Sequence, residues 1–277
     1  MTLIDGRALA ASLRARAAAI AADLGEAGIE PRLAAVVPTG DEATAWYVRS
    51  IARAAEQVGI QFEEIAPAGT DPSRVTDALA QLSGRPDVHG IICLTPLPEG
   101  LDLPGAGQHI LPEKDVDGAS PVSLGRLATG LTAFAPATAQ AVIELLRNGG
   151  TPLDGAEVVV VGRSNVVGKP LALLLLSEHA TVTVCHSHTR DLAAVTRRAD
   201  VLVAAAGQPR LIGREHVKPG AVVIDVGTNP TDDGGLVGDV DTESVEAVAA
   251  VTPVPGGVGP VTTAVLLGNV VAAARGF

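Results

Sequence analysis

A glycine-rich turn between a strand-like run and a helix is the first place where residue type and spacing point to chemistry. The apolar run Glu157–Val161 leads into Gly162–Gly168, and Pro170 marks the start of a helix. In such a unit, backbone N–H groups and the positive end of the helix dipole bind phosphate. Ser164 stands at the second glycine position of the G-x-G-x-x-G fingerprint, so the turn alone also fits an ordinary tight turn.

The neighbouring elements favour a dinucleotide domain, and the next strand indicates which dinucleotide would fit. The predicted strand Thr181–Cys185 ends at His186 and Ser187, with no Asp or Glu to bond a ribose 2′-hydroxyl. Arg163 and Ser187 are instead well placed to meet a 2′-phosphate. The sequence therefore predicts NADP rather than NAD as the cofactor.

Two pairs of residues raise the question of metal binding. His186 and His188 lie close in sequence, but no acidic or cysteine partner stands at ligand spacing, so we expect solvated or phosphate-facing imidazoles. Cys93 and Cys185 lie in separate apolar runs and are the only cysteines, which excludes a zinc site of the usual spacing. We therefore predict buried, reduced thiols and no metal.

The elements that must position these residues follow from hydrophobic periodicity. In the first half, helices are predicted over residues 8–24, 41–59 and 72–82, and strands over 32–37, 61–65 and 89–94. Residues 97–132 are rich in Pro, Gly and Asp with little periodicity, and a linking helix is predicted over 138–148. In the second half, strands are predicted over 157–161, 181–185, 201–205 and 221–226, with helices over 170–177, 192–198 and 261–275. This alternation is typical of an α/β fold with mostly parallel sheets.

Length and charge restrict the classes of function. The chain has 277 residues, about twice the usual domain length, so two domains are expected. Its net charge of −11, from 31 acidic and 20 basic residues without a basic block, argues against nucleic acid as a partner. Met1 is not followed by a charged start and an apolar signal region, and no window reaches about 18 apolar residues. We therefore expect a soluble, cytoplasmic protein that does not span a membrane.

Several short motifs, taken in order, resemble those of one enzyme family. They are Tyr47–Val48, Pro96–Pro98, Lys114–Gly118, Val161–Ser164 with Val167–Gly168, Cys185–Ser187, Val223–Gly227 and Thr252–Pro260. In this set and order they resemble the methylenetetrahydrofolate dehydrogenase/cyclohydrolase family (FolD type) over almost the full length of the chain. The last motif is highly specific, so a chance match does not explain the resemblance.

The resemblance implies a fold, a reaction and an assembly. It implies a catalytic α/β domain over residues 1–140, completed by a returning C-terminal helix at 261–277, and a Rossmann-type NADP-binding domain over residues 141–260. Family members bind a tetrahydrofolate substrate in the cleft between the domains. They oxidise 5,10-methylenetetrahydrofolate with NADP and then hydrolyse the methenyl product to 10-formyltetrahydrofolate. The resemblance also implies a homodimer formed through the Rossmann domain.

Individual residues take roles from the same resemblance. Tyr47 would stack on the folate ring system, and Asp117 would accept hydrogen bonds from the aminopyrimidinone edge of the pterin. The alternatives are a half-buried helix residue for Tyr47 and a turn-capping residue for Asp117. The residues implied for substrate binding in the C-terminal region are Pro255, Gly256, Gly257 and Thr262, where the two glycines are also compatible with a turn role alone. The residues implied for cofactor binding are Gly162, Arg163, Ser164, Val167, Gly168, His186, Ser187 and Gly227.

The sequence departs from the family at two catalytic positions. The family carries Lys one turn after the Tyr and Gln two residues before Pro-Leu-Pro, and here these positions are Ile51 and Leu94. The family's Pro-Cys-Thr-Pro segment also reads Pro136–Ala139, with Ala at two positions. Arg49 and Arg53 flank Ile51 by two residues, so on a helix they point elsewhere, and Arg holds its proton too tightly to act as a base near pH 7.

The absence of the Lys and Gln side chains should affect the dehydrogenase and the cyclohydrolase activities differently. Hydride loss from the methylene carbon needs alignment more than a base, whereas hydrolysis of the methenyl cation needs water activation and proton transfer. We therefore expect an NADP-dependent dehydrogenase whose cyclohydrolase is weak or lost. Two alternatives remain: an oxidoreductase on this scaffold that acts on a different C–N compound, and a catalytically silent NADP- or folate-binding protein.

Overall fold

A computed structural model describes residues 3–40, 42–67, 69, 71–231 and 233–276, with the backbone alone at residue 43. The chain divides into two compact units. The three-stranded unit comprises Ala11–Ala137 and Thr263–Phe277, and the five-stranded unit comprises Met1–Ala10 and Thr138–Thr262. Among the residues described, no helix is both long and apolar enough to cross a bilayer.

The elements of the three-stranded unit alternate as the sequence predicts. They are α1 (Arg7–Glu26, which starts in the other unit), β1 (Arg32–Val36), α2 (Glu42–Gln57), β2 (Gln61–Ile65), α3 (Pro72–Gly84), β3 (Gly90–Cys93), α4 (Leu103–Gly107) and α5 (Pro121–Ala128). The sheet is parallel with the order β2-β1-β3, and Val36 pairs with Ile65 on one side and Cys93 on the other. The three strands therefore end at one edge, and the loops after them lie together.

The five-stranded unit contains the second α/β run. Its elements are α6 (Ala137–Asn148), β4 (Glu157–Val161), α7 (Gly168–Ser177), β5 (Thr181–Cys185), α8 (Leu192–Thr196), β6 (Val201–Ala204), a 3-10 helix at Arg214–His216, β7 (Val222–Asp225), β8 (Asn229–Pro230), β9 (Leu236–Val237), α9 (Thr242–Val245), β10 (Ala250–Val251) and α10 (Val258–Ala274). Its main sheet is parallel with the order β10-β7-β6-β4-β5. The chain leaves β4 toward β5 and then crosses back to β6, so the strand order reverses beside β4.

The α/β class and the alternation of the main elements are confirmed, whereas several short elements were not predicted: α4, α5, the 3-10 helix, β8, β9, α9 and β10. Residue 41, where the second helix was predicted to begin, lies outside the described residues, and the helix begins at Glu42. The stretch 97–132 contains two short helices despite its weak periodicity. Asp102 caps α4 by accepting a hydrogen bond from the Gly105 N–H, and Ser120 caps α5 in the same way. Each cap is followed by Pro within two residues, a start signal that periodicity alone does not detect.

The described segments near the two ends of the chain each belong to a defined unit. The second part of α10 belongs to the three-stranded unit, where the Asn269 side-chain amide donates a 2.8 Å hydrogen bond to the Val116 carbonyl. This confirms the returning C-terminal helix, although Phe277, the predicted last residue, lies outside the described residues. The catalytic domain was predicted from residue 1, whereas the N-terminal segment pairs with the five-stranded unit through Ile4 N–H and Val251 C=O at 2.9 Å.

Candidate active site

The turn after β4 has the tight backbone that a dinucleotide phosphate requires. A Cβ at Gly162 would lie 2.1 Å from the Ala205 carbonyl oxygen, and a Cβ at Gly168 would lie 2.1 Å from the Gly162 carbonyl oxygen. The Ser164 hydroxyl accepts hydrogen bonds from the N–H groups of Val167 (3.1 Å) and Gly168 (3.5 Å), so this serine closes the turn at the position of the missing glycine. Glycine is therefore required at both ends of the turn. Between them, residues 163–166 are exposed and Val167 is half-buried.

The loop after β5 lies beside this turn. Val161 pairs with Cys185, and the Gly162 N–H donates to the Cys185 carbonyl at 2.9 Å. Arg163 and Ser187, the next residues along each loop, are both exposed, and no ion pair joins Arg163 to another residue in the described part of the chain. The structure thus brings these two loops together at one edge of the sheet.

The histidines of the second loop take part in its own turn. The His186 N–H donates to Thr189 Oγ1 at 2.9 Å, and His186 Nδ1 accepts from the His188 N–H at 3.1 Å. Within the described residues, no three His, Cys, Asp or Glu side chains are grouped to hold a metal ion. Cys93 and Cys185 are buried and unpaired as predicted, and burial raises the pKa of both thiols.

These features fit a dinucleotide. The reversal of strand order beside β4 is where open α/β sheets bind nucleotides, and the glycines permit close approach of the backbone to a pyrophosphate. A free guanidinium and a hydroxyl at the adjoining edge fit a phosphate on the adenosine ribose. The chemistry of the residues present therefore fits an NAD(P)-type cofactor.

In the three-stranded unit, the structure brings Tyr47 and Asp117 together. Tyr47, on α2, exposes 38% of its surface, and its pKa is raised to about 12 by desolvation and by the nearby Asp117 carboxylate. Asp117 is half-buried, and desolvation raises its pKa to about 7, opposed by a 3.3 Å hydrogen bond from the Ala137 N–H. Among the described residues, this is the one hydrogen bond that Asp117 accepts. An aromatic face and an open carboxylate thus lie within electrostatic reach of each other.

Ile51 and Leu94, the two positions predicted to depart from the family pattern, are both apolar. Ile51 is fully buried on the inner face of α2, where Val48 and Ala55 are also buried. Leu94 follows β3, is half-buried, and donates its backbone N–H to the Val36 carbonyl at 2.9 Å. Neither residue offers a side-chain group that can transfer a proton.

The loop between β10 and α10 is shaped by its glycines. Gly256 has a φ of +114°, and a Cβ there would lie 2.6 Å from the Arg7 guanidinium. A Cβ at Gly257 would lie 2.7 Å from the Pro253 carbonyl oxygen, whereas Pro255 is exposed. Thr262 lies one helical turn into α10 and bonds its hydroxyl to the carbonyl of Val258. The turn role of the two glycines is thereby established, and their contact with substrate stays a prediction.

The sequence matches one family along both units. The profile of the tetrahydrofolate dehydrogenase/cyclohydrolase catalytic domain matches residues 4–117, and that of the NAD(P)-binding domain of the same family matches residues 136–276. The chain belongs to the tetrahydrofolate dehydrogenase/cyclohydrolase family.

Relatives and solved structures of this family cover nearly the whole chain. A protein named "Bifunctional protein FolD" from Parafrankia sp. (strain EAN1pec) is 56% identical over 277 residues, covering 100% of both chains. The FolD methylenetetrahydrofolate dehydrogenase/cyclohydrolase of Campylobacter jejuni has a TM-score of 0.95 at 39% identity, with 99% of each chain covered. The FolD of Trypanosoma brucei, solved with NADP and an inhibitor, has a TM-score of 0.93 at 38% identity, covering 99% of this chain and 97% of its own.

Family membership places the NAD(P)-binding domain in the five-stranded unit, and there sequence reasoning missed two structural carboxylates. Asp225 and Asp239 are buried and accept hydrogen bonds from the loops at the strand ends. A Cβ at Gly227, predicted to bind cofactor, would lie 2.3 Å from Asp239 Oδ1, so packing accounts for this glycine. For Asp225 the sequence offers one weak signal, an acidic residue at the end of an apolar strand, which is costly unless the loop supplies donors.

Proposed function

We propose that this chain oxidises 5,10-methylenetetrahydrofolate with NADP⁺ and that its methenyltetrahydrofolate cyclohydrolase activity is weak or lost. One observation carries the proposal. The Tyr47–Asp117 pair of the family is retained and open, whereas the positions of its Lys and Gln are occupied by buried Ile51 and by Leu94. The binding part of the site is therefore kept without the proton-transfer part.

Tyr47 and Asp117 supply what pterin recognition needs. The exposed ring of Tyr47 offers a face for stacking on the fused pterin rings. The Asp117 carboxylate, which accepts one long hydrogen bond among the described residues, has acceptor capacity left for two adjacent donors on the aminopyrimidinone edge. Its burial makes those bonds stronger than they would be in water.

Arg163 and Ser187 account for the preference for NADP over NAD. Their loops adjoin at the end of β4 and β5, and a 2′-phosphate between them would receive one charged and one neutral donor. The bound NADP⁺ supplies a hydride acceptor. The methylene C–H bond breaks with its electron pair leaving as hydride, and the carbon remains as an amidinium cation shared by two nitrogens. No proton moves in this step, so the protein has only to align the two reactants.

Hydrolysis of the amidinium cation makes a different demand. Water must add to the carbon and lose a proton, and a ring nitrogen must then gain one as the C–N bond breaks. Ile51 and Leu94 have no group that carries a proton. Arg49 and Arg53 are exposed on α2, away from its buried face. A guanidinium group is not a proton carrier for this step, because it holds its proton too tightly to act as a base. We therefore expect hydrolysis of methenyltetrahydrofolate, and not its formation, to be slow in this protein.

We further propose that two copies associate through the five-stranded unit, as the family resemblance implies. β5 lies at the edge of its sheet, and Val184 on this strand exposes 38% of its surface. An edge strand with exposed apolar side chains is suited to pairing with another chain. Sedimentation equilibrium should give the mass of a dimer, and a monomer at micromolar concentration would contradict this.

The test of the reaction uses purified protein, 5,10-methylenetetrahydrofolate and either NADP⁺ or NAD⁺. We expect NADPH to form faster than NADH, and we expect Tyr47→Ala to slow the reaction without weakening NADP⁺ binding. Thermal melting separates the alternatives, because a ligand that binds the folded state raises the melting temperature. Stabilisation by NADP⁺ but not by tetrahydrofolate would favour a different C–N substrate, and stabilisation by both without turnover would favour a silent binding protein.

A further inference from the structure

The loop after β6 is held by a buried carboxylate that the proposed reaction does not use. Asp239, which follows β9, is fully buried. It accepts hydrogen bonds from three consecutive backbone N–H groups, those of Ala206 (2.6 Å), Gly207 (2.8 Å) and Gln208 (2.9 Å). The side-chain amide of Asn229 donates a fourth at 2.9 Å. One side chain thus fixes an entire turn of backbone.

A second carboxylate holds the first one in place. Asp225, at the end of β7, accepts hydrogen bonds from the backbone N–H groups of Gly227, Asp239 and Val240, each at 2.9 Å. The backbone that carries Asp239 is therefore tied to the end of β7. The loops after β6 and β7 form one connected unit.

The surrounding glycines show that this unit is closely packed. A Cβ at Gly238 would lie 1.7 Å from Asp225 Oδ2, and a Cβ at Gly227 would lie 2.4 Å from the Asp239 nitrogen. Any larger residue would push the carboxylates away from their donors. Every donor and acceptor named here belongs to the protein itself.

The position of the Ala206–Gln208 loop after β6 indicates which half of a dinucleotide it would meet. In the order β5-β4-β6-β7, the phosphate turn follows β4. Arg163 of this turn and Ser187 of the adjoining loop after β5 fit the adenosine ribose phosphate. A dinucleotide that crosses the strand ends must then direct its other half toward β6 and β7. Gly207 and Gln208 are exposed at this edge, so the backbone held by Asp239 is accessible to that half.

We propose that Asp239 is a positioning residue that fixes the Ala206–Gln208 backbone for the nicotinamide half of NADP. This inference rests on the proposed function, because it assumes an NADP-dependent hydride transfer. A loop that is already ordered spends no binding energy on its own ordering, so a loosened loop should weaken binding and misalign the ring. Asp239→Asn is the sharpest change, since the amide keeps the shape but turns one acceptor into a donor that faces backbone N–H groups.

The binding test compares NADP⁺ with 2′,5′-ADP, which carries the phosphorylated adenosine half without nicotinamide. By calorimetry, we expect Asp239→Asn to raise the Kd for NADP⁺ about tenfold because the loop must be ordered on binding. The Kd for 2′,5′-ADP should stay the same. We also expect kcat to fall by about 10- to 100-fold, the effect of a displacement of roughly 1 Å.

Hydrogen exchange gives a readout that is independent of activity. In the ligand-free wild type, the amides of residues 206–208 are bonded to Asp239 and should exchange slowly. They should exchange fast in Asp239→Asn. Asp115→Asn is the matched control, because Asp115 is also fully buried with three donors but lies in the three-stranded unit. It should lower stability and leave the Kd of both ligands unchanged.

If Asp239→Asn does not fold, Asn229→Ala replaces it in the test. Asn229→Ala removes one of the four hydrogen-bond donors to Asp239 and leaves the carboxylate in place. Asn229→Ala should raise the Kd for NADP⁺ by a smaller factor and leave the Kd for 2′,5′-ADP unchanged. Equal weakening of both ligands, or no weakening of either with normal exchange at residues 206–208, would overturn the positioning role. A wild type that binds 2′,5′-ADP and NADP⁺ but forms no NADPH would instead overturn the proposed reaction, and one that binds neither would overturn both.

Discussion

Both units hold buried carboxylates in the loops near their strand ends, but the three-stranded unit has one that remains open. Asp239 and Asp225 accept hydrogen bonds from several backbone N–H groups of the five-stranded unit. Asp115 is equally occupied by the Ala119 and Ser120 N–H groups and the Ser123 hydroxyl. Asp117, two residues later, accepts a single 3.3 Å hydrogen bond among the described residues. The supply of donors distinguishes carboxylates that hold a loop from one that can recognise a substrate.

A second difference concerns proton transfer, and it gives the largest expected effect. The double change Ile51→Lys with Leu94→Gln should increase methenyltetrahydrofolate hydrolysis by about 100- to 10,000-fold, the usual contribution of general acid–base catalysis. The decay of methenyltetrahydrofolate without NADP⁺ measures it. Because Ile51 is fully buried, the lysine should also lower the melting temperature.

The matched control for this pair is Ile51→Met with Leu94→Met, which changes shape without adding a proton carrier. It should leave hydrolysis at the wild-type rate. If the Lys and Gln variant folds, binds tetrahydrofolate and hydrolyses no faster than the Met variant, the proposed link between these two positions and hydrolysis is wrong.

The next effect separates Asp117 from Asp115. Asp117→Asn should lower kcat/KM for the folate by about 10- to 100-fold, because hydrogen bonds to a charged group are worth about 1.5–3 kcal/mol. The Kd for NADP⁺ should not change. Asp115→Asn should show the reverse pattern, with a lower melting temperature and a near-normal kcat/KM of the folded fraction. A similar loss of kcat/KM in both variants would contradict the distinction.

The pH dependence of folate binding should follow Asp117. Burial raises the pKa of its carboxyl to about 7, so it is mostly protonated at pH 6 and mostly ionised at pH 8. A protonated carboxyl loses acceptor capacity, so KM for the folate should rise roughly tenfold from pH 8 to pH 6. Asp117→Asn should have a KM that is flat over this range. A wild-type KM that falls on acidification would show the opposite sign and exclude a carboxylate acceptor.

The smallest effect belongs to the cofactor loops. Arg163→Ala should raise the Kd for NADP⁺ about tenfold through loss of one charged contact to phosphate, and leave that for NAD⁺ unchanged. Arg16→Ala is the matched control, because it also removes an exposed guanidinium but lies on α1 in the other unit, and it should leave the Kd for both dinucleotides unchanged. An equal effect of Arg163→Ala on both dinucleotides would place this side chain away from the 2′-phosphate.

Sequence reasoning predicted the features that local pattern determines. The alternation of strands and helices, the turn at Gly162–Gly168 and the adjacency of the loops after β4 and β5 all follow from periodicity and parallel pairing. It missed α4 and α5, whose cap and proline signals are local but short.

What the sequence did not predict depends on contacts between distant segments. Asp239 bonds to residues about thirty positions earlier, and Asp225 to a segment fifteen positions later, so neither role shows as a local motif. The low donor count of Asp117 beside the saturated Asp115 is likewise a property of the folded loop. Gly227 and Gly238 are needed because a side chain at either position would collide with Asp239 or Asp225, and only the structure shows these contacts.

The most direct test of the proposed function counts products. Purified enzyme is mixed with 5,10-methylenetetrahydrofolate and NADP⁺, and NADPH, methenyltetrahydrofolate and 10-formyltetrahydrofolate are quantified by chromatography over time, beside an enzyme-free sample of methenyltetrahydrofolate. The predicted result is methenyl product that accumulates with NADPH and then decays at the enzyme-free rate. Formation of 10-formyltetrahydrofolate as fast as NADPH would contradict the account, because hydrolysis would then be fast with apolar residues at positions 51 and 94.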